Sequence, residues 1–330
     1  MFHYINHNDI DQKQWDECIQ NSSCPIIYAF SWYLNMVSPD WDAIIGKENG
    51  QYTAVMPIPK IRKWGISIVQ QPALCQQLGV FYSKPLCSRE WEELFSLLDK
   101  TFRYISSYHF NEFNTPYVQQ FGKSFLVKEK RNHILSIEKK YEVLKKSFAV
   151  NRTSKRGKID FYVEETNQID SLIKLFKKHT EKKIYGGVKN KDIERLKTIF
   201  KYTHSKNQSK VYEAVYQNTV IASTLFLYFQ KRIYFFFSSA DYTGRKSNAI
   251  ASIIDDVLKK EASQPLLLDF KGADNASIAE FYTSFGASSV SYLRISKNNW
   301  PIVLQLVQKW RKKIVEFILR KPNLLLLSHL

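Results

Sequence analysis

Asn275, Tyr282 and Gly286 stand seven and then four residues apart near the end of a chain of 330 residues. They are the side chains whose types and spacing point most directly to chemistry. A phenol can give up a proton, and Tyr282 shares one helical face with Ile278, Phe281 and Phe285. Gly286 stops that helix. Three carboxylates are candidates for taking a proton: Asp269 at the end of the apolar run Pro265–Phe270, Asp241 after an aromatic run, and Glu213. Each also suits a surface or capping position, and Tyr282 also suits an ordinary aromatic core. A base is dispensable if the substrate arrives neutral or water relays its proton.

Anion-binding residues cluster just upstream. Gly244-Arg245-Lys246-Ser247-Asn248-Ala249-Ile250 opens a helix, and a helix N-terminus offers unpaired amides and its dipole to a phosphate. Solvated basic residues at a helix start are the plain alternative. The seven histidines form no cluster, and Cys18, Cys24, Cys75 and Cys87 lack paired ligand spacing, so no metal is expected.

The net charge of +17 is unevenly placed. Residues 1–138 hold 13 Lys and Arg against 14 Asp and Glu, whereas residues 139–330 hold 35 against 17. The stretch Lys139–Lys158 carries eight basic residues opposed only by Glu142. Such a field suits a polyanion: RNA, an anionic membrane surface or a phosphorylated substrate. A Lys-rich solvated surface is the plainer reading. At 44% hydrophobic and 15% aromatic the chain buries a sizeable core, which excludes bulk disorder. Met1–Gln14 is polar, and no apolar run approaches the roughly 20 residues that span a bilayer. The expectation is a cytoplasmic protein with reduced thiols, in peripheral contact at most with the inner face of the membrane. The tail, 301–330, sets Val303, Leu304, Leu306, Val307, Trp310, Ile314, Phe317 and Ile318 among six Lys and Arg residues. It reads as a basic amphipathic helix that docks on the second half or lies on an anionic surface.

The elements that must position these residues can be read in order. Ile159–Glu164 alternates as a strand, and a helix capped by Asn167 carries Ile169, Leu172, Ile173 and Phe176. After Gly186-Gly187 a second helix carries Ile193, Leu196, Ile199 and Phe200. Three antiparallel strands follow, Val211–Tyr216, Val220–Phe229 and Arg232–Ser239, turning at Gln217-Asn218 and Gln230-Lys231. Lys246–Lys260 is a helix, Pro265–Phe270 a strand, and Val290–Ser296 a last strand. The first half looks like a weaker copy. Gln51–Pro59 and Gly65–Gln71 form a strand pair around Lys60–Trp64. Arg89–Ser107 is a helix, and His109–Phe113 and Asn132–Ile137 are strands. That copy lacks the Asn-Tyr-Gly spacing, so it serves structure or binds an acceptor.

The order strand, two helices, three strands, helix, strand, helix, strand, with the Asn-Tyr-Gly spacing in its place, resembles the GNAT acyltransferase core. Two such halves joined by Tyr141–Lys158 resemble the FemAB family over roughly residues 1–300. Ser31-Trp32-Tyr33-Leu34 with Trp41, Ala54–Pro57, Gln76–Val80, the joint Tyr141–Gly157, Leu268–Gly272 and Phe281–Ala287 also fit that family. The resemblance implies an α+β fold of two tandem GNAT-like domains, each a mostly antiparallel mixed sheet flanked by helices. The domains would be 1–138 and 139–300, with 301–330 a tail. It further implies an N-acyltransferase with no tightly bound cofactor. The donor would be acyl-CoA or aminoacyl-tRNA and the acceptor an amine of a cell-envelope precursor or a small metabolite, as Fem proteins extend a peptidoglycan precursor. Tyr282 would protonate the leaving group, with Asp269 first among the bases. Asn275, Ser238 and Ser239 would flank the donor's arm between parted strands, and Arg245, Lys246, Ser247 and Asn248 would meet its phosphates. The phosphate loop departs from the family pattern, because Asn248 and Ile250 stand where small residues belong. The competing expectation is a basic binding module, without catalysis, for RNA or an anionic membrane surface.

Overall fold

The protein is described from a computed structural model, which covers residues 1–63, 66–149, 159–181, 188–272, 275–300 and 310. The basic joint Asn151–Gly157, the Gly186-Gly187 break and the tail apart from Trp310 lie outside the described residues. The fold is the expected α+β arrangement of mixed sheets and helices. Its described residues divide into two compact units, residues 1–130 with those from 291 onward, and residues 131–290. Among the described residues no helix is long and apolar enough to cross a membrane.

In chain order the first unit holds β1 (Phe2–Ile5), α1 (Gln12–Gln20), α2 (Ser31–Val37), β2 (Asp42–Glu48), β3 (Gln51–Ile58), β4 (Lys60–Lys63) and β5 (Ile66–Gln70). There follow β6 (Phe81–Tyr82), α3 (Ser88–Thr101), β7 (Tyr104–His109), α4 (Thr115–Phe121) and the start of β8 (Leu126–Ser136). β1, β2, β3 and β6 form one sheet in that order. The expected pairing of Gln51–Pro59 with Gly65–Gln71 does not occur. β3 pairs with β2 instead, and β5 pairs with β4. The deciding signal is Asn49-Gly50, whose φ angles of 50° and 79° suit a two-residue hairpin turn. Trp15, Trp41 and Trp91 lie fully within this unit's core.

The second unit continues with the rest of β8, α5 (Tyr141–Lys146), β9 (Tyr162–Thr166), α6 (Asp170–His179), α7 (Asn190–Ser205), β10 (Ser209–Tyr216), β11 (Thr219–Phe229) and β12 (Arg232–Ala240). Then come α8 (Tyr242–Lys246), α9 (Ala249–Glu261), β13 (Leu267–Gly272), α10 (Ala276–Thr283) and β14 (Ser288–Asn298). β9 to β12 form an antiparallel meander. Its turns fall at Gln217-Asn218 and Gln230, all three with positive φ. α9 lays Ile253, Ile254, Val257 and Leu258 against Ile233, Phe235, Leu268 and Phe270, which builds the core under the site.

Two strands leave the half of the sequence in which they were read. Ile134, Leu135 and Ser136 of β8 pair with Asp269, Leu268 and Leu267 of β13 in the second unit. Arg294 and Ile295 of β14 pair with His109 and Tyr108 of β7 in the first. The alternation in either segment specifies a half-buried strand; it carries no information about which sheet receives it.

Candidate active site

The site begins where two central strands of the second unit part. β12 and β13 run parallel and pair at three positions, Arg232 with Leu267, Ile233 with Leu268 and Tyr234 with Asp269. On the other side of β12, Phe235 pairs with Phe226 and Phe237 with Leu225, so Phe236 is an extra residue with no partner on β11. A bulge of this kind bends its strand, and the bend coincides with the loss of β13. Among the described residues, β12 from Phe235 onward has no β13 residue opposite it. β13 breaks its own ladder at the same level. Its register on β8 slips between Asp269 and Gly272, and Lys271 takes a φ of 67°. The Lys271 side chain crosses the fork: its ammonium donates to the Phe236 carbonyl at 2.6 Å and sits 4.0 Å from that ring's centre.

Tyr282 projects from α10 toward the base of the fork. Its ring stacks on Phe270 at 4.9 Å and 24° and meets Phe235 edge-on at 6.1 Å. It is 8% exposed. Burial, and then the Asp269 charge, push its phenol well above the usual range, so it stays protonated at any ordinary pH. No hydrogen bond of its hydroxyl is found among the described residues. Asn275 caps α10, its Oδ1 accepting from the Ser277 amide at 2.9 Å and hydroxyl at 2.7 Å. Gly286 has a φ of 83°, and a Cβ there would stand 2.5 Å from Ser147 Oγ. The sequence spacing therefore reads as cap, aromatic face and stop, with the phenol left over for chemistry.

Asp269 is also close, but on the other side. Leu268 and Phe270 join the core beneath Tyr282, and alternation along β13 sends Asp269 to the opposite face. There Arg232 donates to its Oδ2 at 2.9 Å, and the Lys271 amide donates to its Oδ1 at 2.8 Å. It is 2% exposed. Both its oxygens are engaged, and its charge acts on Tyr282 through space. The other two carboxylates lie elsewhere. Asp241 caps α8 through the Gly244 amide at 2.7 Å. Glu213 is buried on β10 opposite Glu164 and Ser223, and burial holds its carboxyl above the usual range.

The expected phosphate loop folds as a short helix and a restart. α8 ends at Lys246, and Asn248 takes the left-handed conformation (φ 57°, ψ 34°) from which α9 begins. The side chains are turned inward on themselves. Arg245 donates to the Ala240 carbonyl at 2.6 Å, and Ser247 to the Thr243 carbonyl at 2.9 Å. Lys246 lies over the Tyr242 ring, and Ile250 packs against the core. Gly244 locks this corner to the sheet, since a Cβ would meet the Ile221 carbonyl oxygen at 2.1 Å. Gly244→Ala is expected to lower unfolding free energy by about 2 kcal/mol or more, read by urea titration. Ser238 and Ser239 pair with Thr224 and Ser223 of β11 on the stretch of β12 that β13 has left, with the Ser239 hydroxyl 2.8 Å from that of Thr180 just after α6.

Two residues of the fork escaped the sequence reading. Lys271 was visible beside Asp269 but carried no spacing signal. His133 comes from β8, far upstream, and its ring lies 5.7 Å from that of Tyr282.

This geometry agrees with known folds. FemX is similar at a TM-score of 0.59 and 12% identity, covering 93% of this chain and 98% of its own. A conserved protein of unknown function from Bacteroides thetaiotaomicron scores 0.54 at 10% identity, over 90% of this chain and 100% of that one. A tandem GNAT protein from the clavulanic acid biosynthesis pathway scores 0.51 at 9% identity, over 91% and 99%. The chain has the FemAB-like, tandem GNAT fold. No family model and no curated protein matches its sequence.

Proposed function

We propose that this chain is an N-acyltransferase. It moves an acyl or aminoacyl group from acyl-CoA or aminoacyl-tRNA to an amine of a cell-envelope precursor or a small metabolite. The observation that carries the reading is the fork: two adjacent parallel strands pair three times and then part at a bulge, with a protonated phenol at their base. Parted strands expose backbone groups able to bind an extended donor arm in a register fixed by the sheet. Transfer to an amine requires that the donor carbonyl be polarised, the amine lose a proton and the leaving group gain one. Lys271 brings a positive charge into the fork, where an oxyanion would develop. Tyr282 is the acid. Asp269, paired with Arg232, sets the local field and keeps the phenol protonated.

The donor's charge separates the two donors. Arg245 and Ser247 are already bonded within their own corner, while the second half of the sequence carries 35 Lys and Arg against 17 Asp and Glu. That balance favours the larger polyanion, aminoacyl-tRNA. The same inward-turned side chains favour, as the second reading, a basic module that binds RNA or an anionic membrane surface without turnover. A filter-binding titration with tRNA, run at 50 and at 200 mM salt (about a fourfold step), distinguishes them together with an acetyl-CoA thermal shift. Aminoacyl-tRNA as donor predicts tight retention at low salt that falls steeply at high salt, and release of the aminoacyl group to an added amine. Retention without release is the outcome of the binding module. Retention of neither ligand removes the transferase.

A further inference from the structure

We infer that His133 is the proton partner of Tyr282, the group that restores the phenol's proton during transfer. The inference deepens the acyltransferase reading and rests on it. His133 is 2% exposed and sits on β8 beside the slipped register of β13, with Asn132 opposite Gly272 and Ile134 opposite Asp269. Alternation places it on the face of Leu135, Phe270 and Tyr282, which is the face that Asp269 does not share. Its Nδ1 is buried and has no hydrogen-bond partner. The neighbouring ring, 5.7 Å away centre to centre, is that of Tyr282, whose hydroxyl makes no hydrogen bond found among the described residues. A buried acceptor without a donor and a phenol on the adjacent ring are complementary. The unsatisfied nitrogen alone costs roughly 1–3 kcal/mol of desolvation. Resting-state catalytic hydrogen bonds often tighten only when substrate binds.

The charges around the ring fix its protonation. Burial, and then Arg131 on its own strand, disfavour imidazolium. The Lys271 backbone, which bonds the ring, and the Asp269 charge on β13 oppose them more weakly, and the net effect is a lowered pKa. Tyr282 is the titratable group facing it from α10, and Arg232 on β12 is paired with Asp269. At neutral pH the ring is neutral. The Lys271 carbonyl takes the proton of one nitrogen, which leaves the lone pair on the other, Nδ1.

The proton inventory then closes. The amine nitrogen forms a bond to the donor's carbonyl carbon, and the bond from that carbon to the leaving sulfur or oxygen breaks. Tyr282 Oη gives its proton to that leaving atom. The proton shed by the amine passes to His133 Nδ1, directly or through one water, and from there to Tyr282 Oη. Phenol and neutral imidazole are both regenerated. Without such a partner the step leaves a phenolate beside Asp269, which the buried setting disfavours.

The test has two arms. Two-bond proton–nitrogen correlation spectra of the histidine-labelled full-length chain are recorded for wild type and Tyr282→Phe. A lone pair on Nδ1 and a shift of the His133 resonances in Tyr282→Phe are expected. A proton on Nδ1, or resonances that ignore the loss of the hydroxyl, overturn the inference. This arm needs no substrate and no His133 variant. In the second arm, acetyl-CoA and a total aminoacyl-tRNA pool are each supplied with 1,5-diaminopentane as acceptor. Wild-type kcat should fall as pH drops and the imidazole takes up its proton. His133→Gln should lower kcat about 10²–10⁴-fold with an unchanged KM for the donor, and should lose that acidic limb. A retained limb overturns the relay. Failure of wild type with both probes, in the presence of the expected spectra, strikes the transferase reading alone.

Discussion

Tyr282→Phe should lower kcat about 10²–10⁴-fold while leaving the fold intact. The two halves of that expectation come from different observations. The ring holds its place by stacking on Phe270 and by its edge contact with Phe235, and Phe preserves both. Among the described residues the hydroxyl makes no hydrogen bond whose loss would orphan a neighbour, so the stability change should stay within about 1 kcal/mol. Turnover depends on the hydroxyl alone, because Phe has no proton to give. Its raised pKa also sets the pH behaviour. Above neutral pH the phenol remains protonated, and no alkaline loss of activity should arise from Tyr282 across the range in which proteins are ordinarily assayed. Steady-state rates for both proteins with whichever donor binds, beside their urea unfolding curves, give the comparison. Equal turnover would make Tyr282 a core aromatic and remove the acid from the mechanism.

The sequence carried the local parts of this site and lost the non-local ones. The aromatic face of α10 and the stop at Gly286 were legible because each depends on residues within one turn, and the Asn275 cap, equally local, was passed over for a role beside the donor. The meander β10–β12 was legible for the same reason, its turns lying at Gln217-Asn218 and Gln230. The Asn49-Gly50 hairpin was equally local, and it went unread behind the stronger basic run at Lys60–Trp64. His133 was illegible in principle. It belongs to a strand that alternation assigns to a sheet of some kind, and its neighbour Tyr282 lies far along the chain. The Arg232–Asp269 pair was hidden in the same way, since it requires that β12 and β13 be adjacent and parallel. Alternation nevertheless held the clue that Asp269 leaves the sheet on the side away from Leu268 and Phe270. At the phosphate loop Asn248 supplies a positive φ that its short polar side chain tolerates. Arg245 and Ser247 find acceptors within the corner that no spacing rule describes.

Breaking the Arg232–Asp269 pair should be the most destabilising single change at the fork. The two side chains are 12% and 2% exposed and meet at 2.9 Å. Arg232→Met takes the guanidinium from a buried carboxylate that still accepts from the Lys271 amide, and a loss of about 3–5 kcal/mol is expected from urea unfolding. Asp269→Leu takes the carboxylate from the guanidinium, and because Arg232 is the more exposed of the two its loss should be the smaller. The double variant removes both charges and should recover most of either loss, because the desolvation cost that the pair offsets disappears with it. The double variant also separates stability from chemistry. With the Asp269 charge gone, the Tyr282 phenol should titrate at a lower pH than in wild type, seen as an earlier rise in phenolate absorbance, even where the fold is restored. A single-variant loss below about 1 kcal/mol would mean that water already reaches the pair. Asp269 would then lie in a hydrated cleft, its charge on Tyr282 would be screened, and the phenol would need no relay to remain an acid.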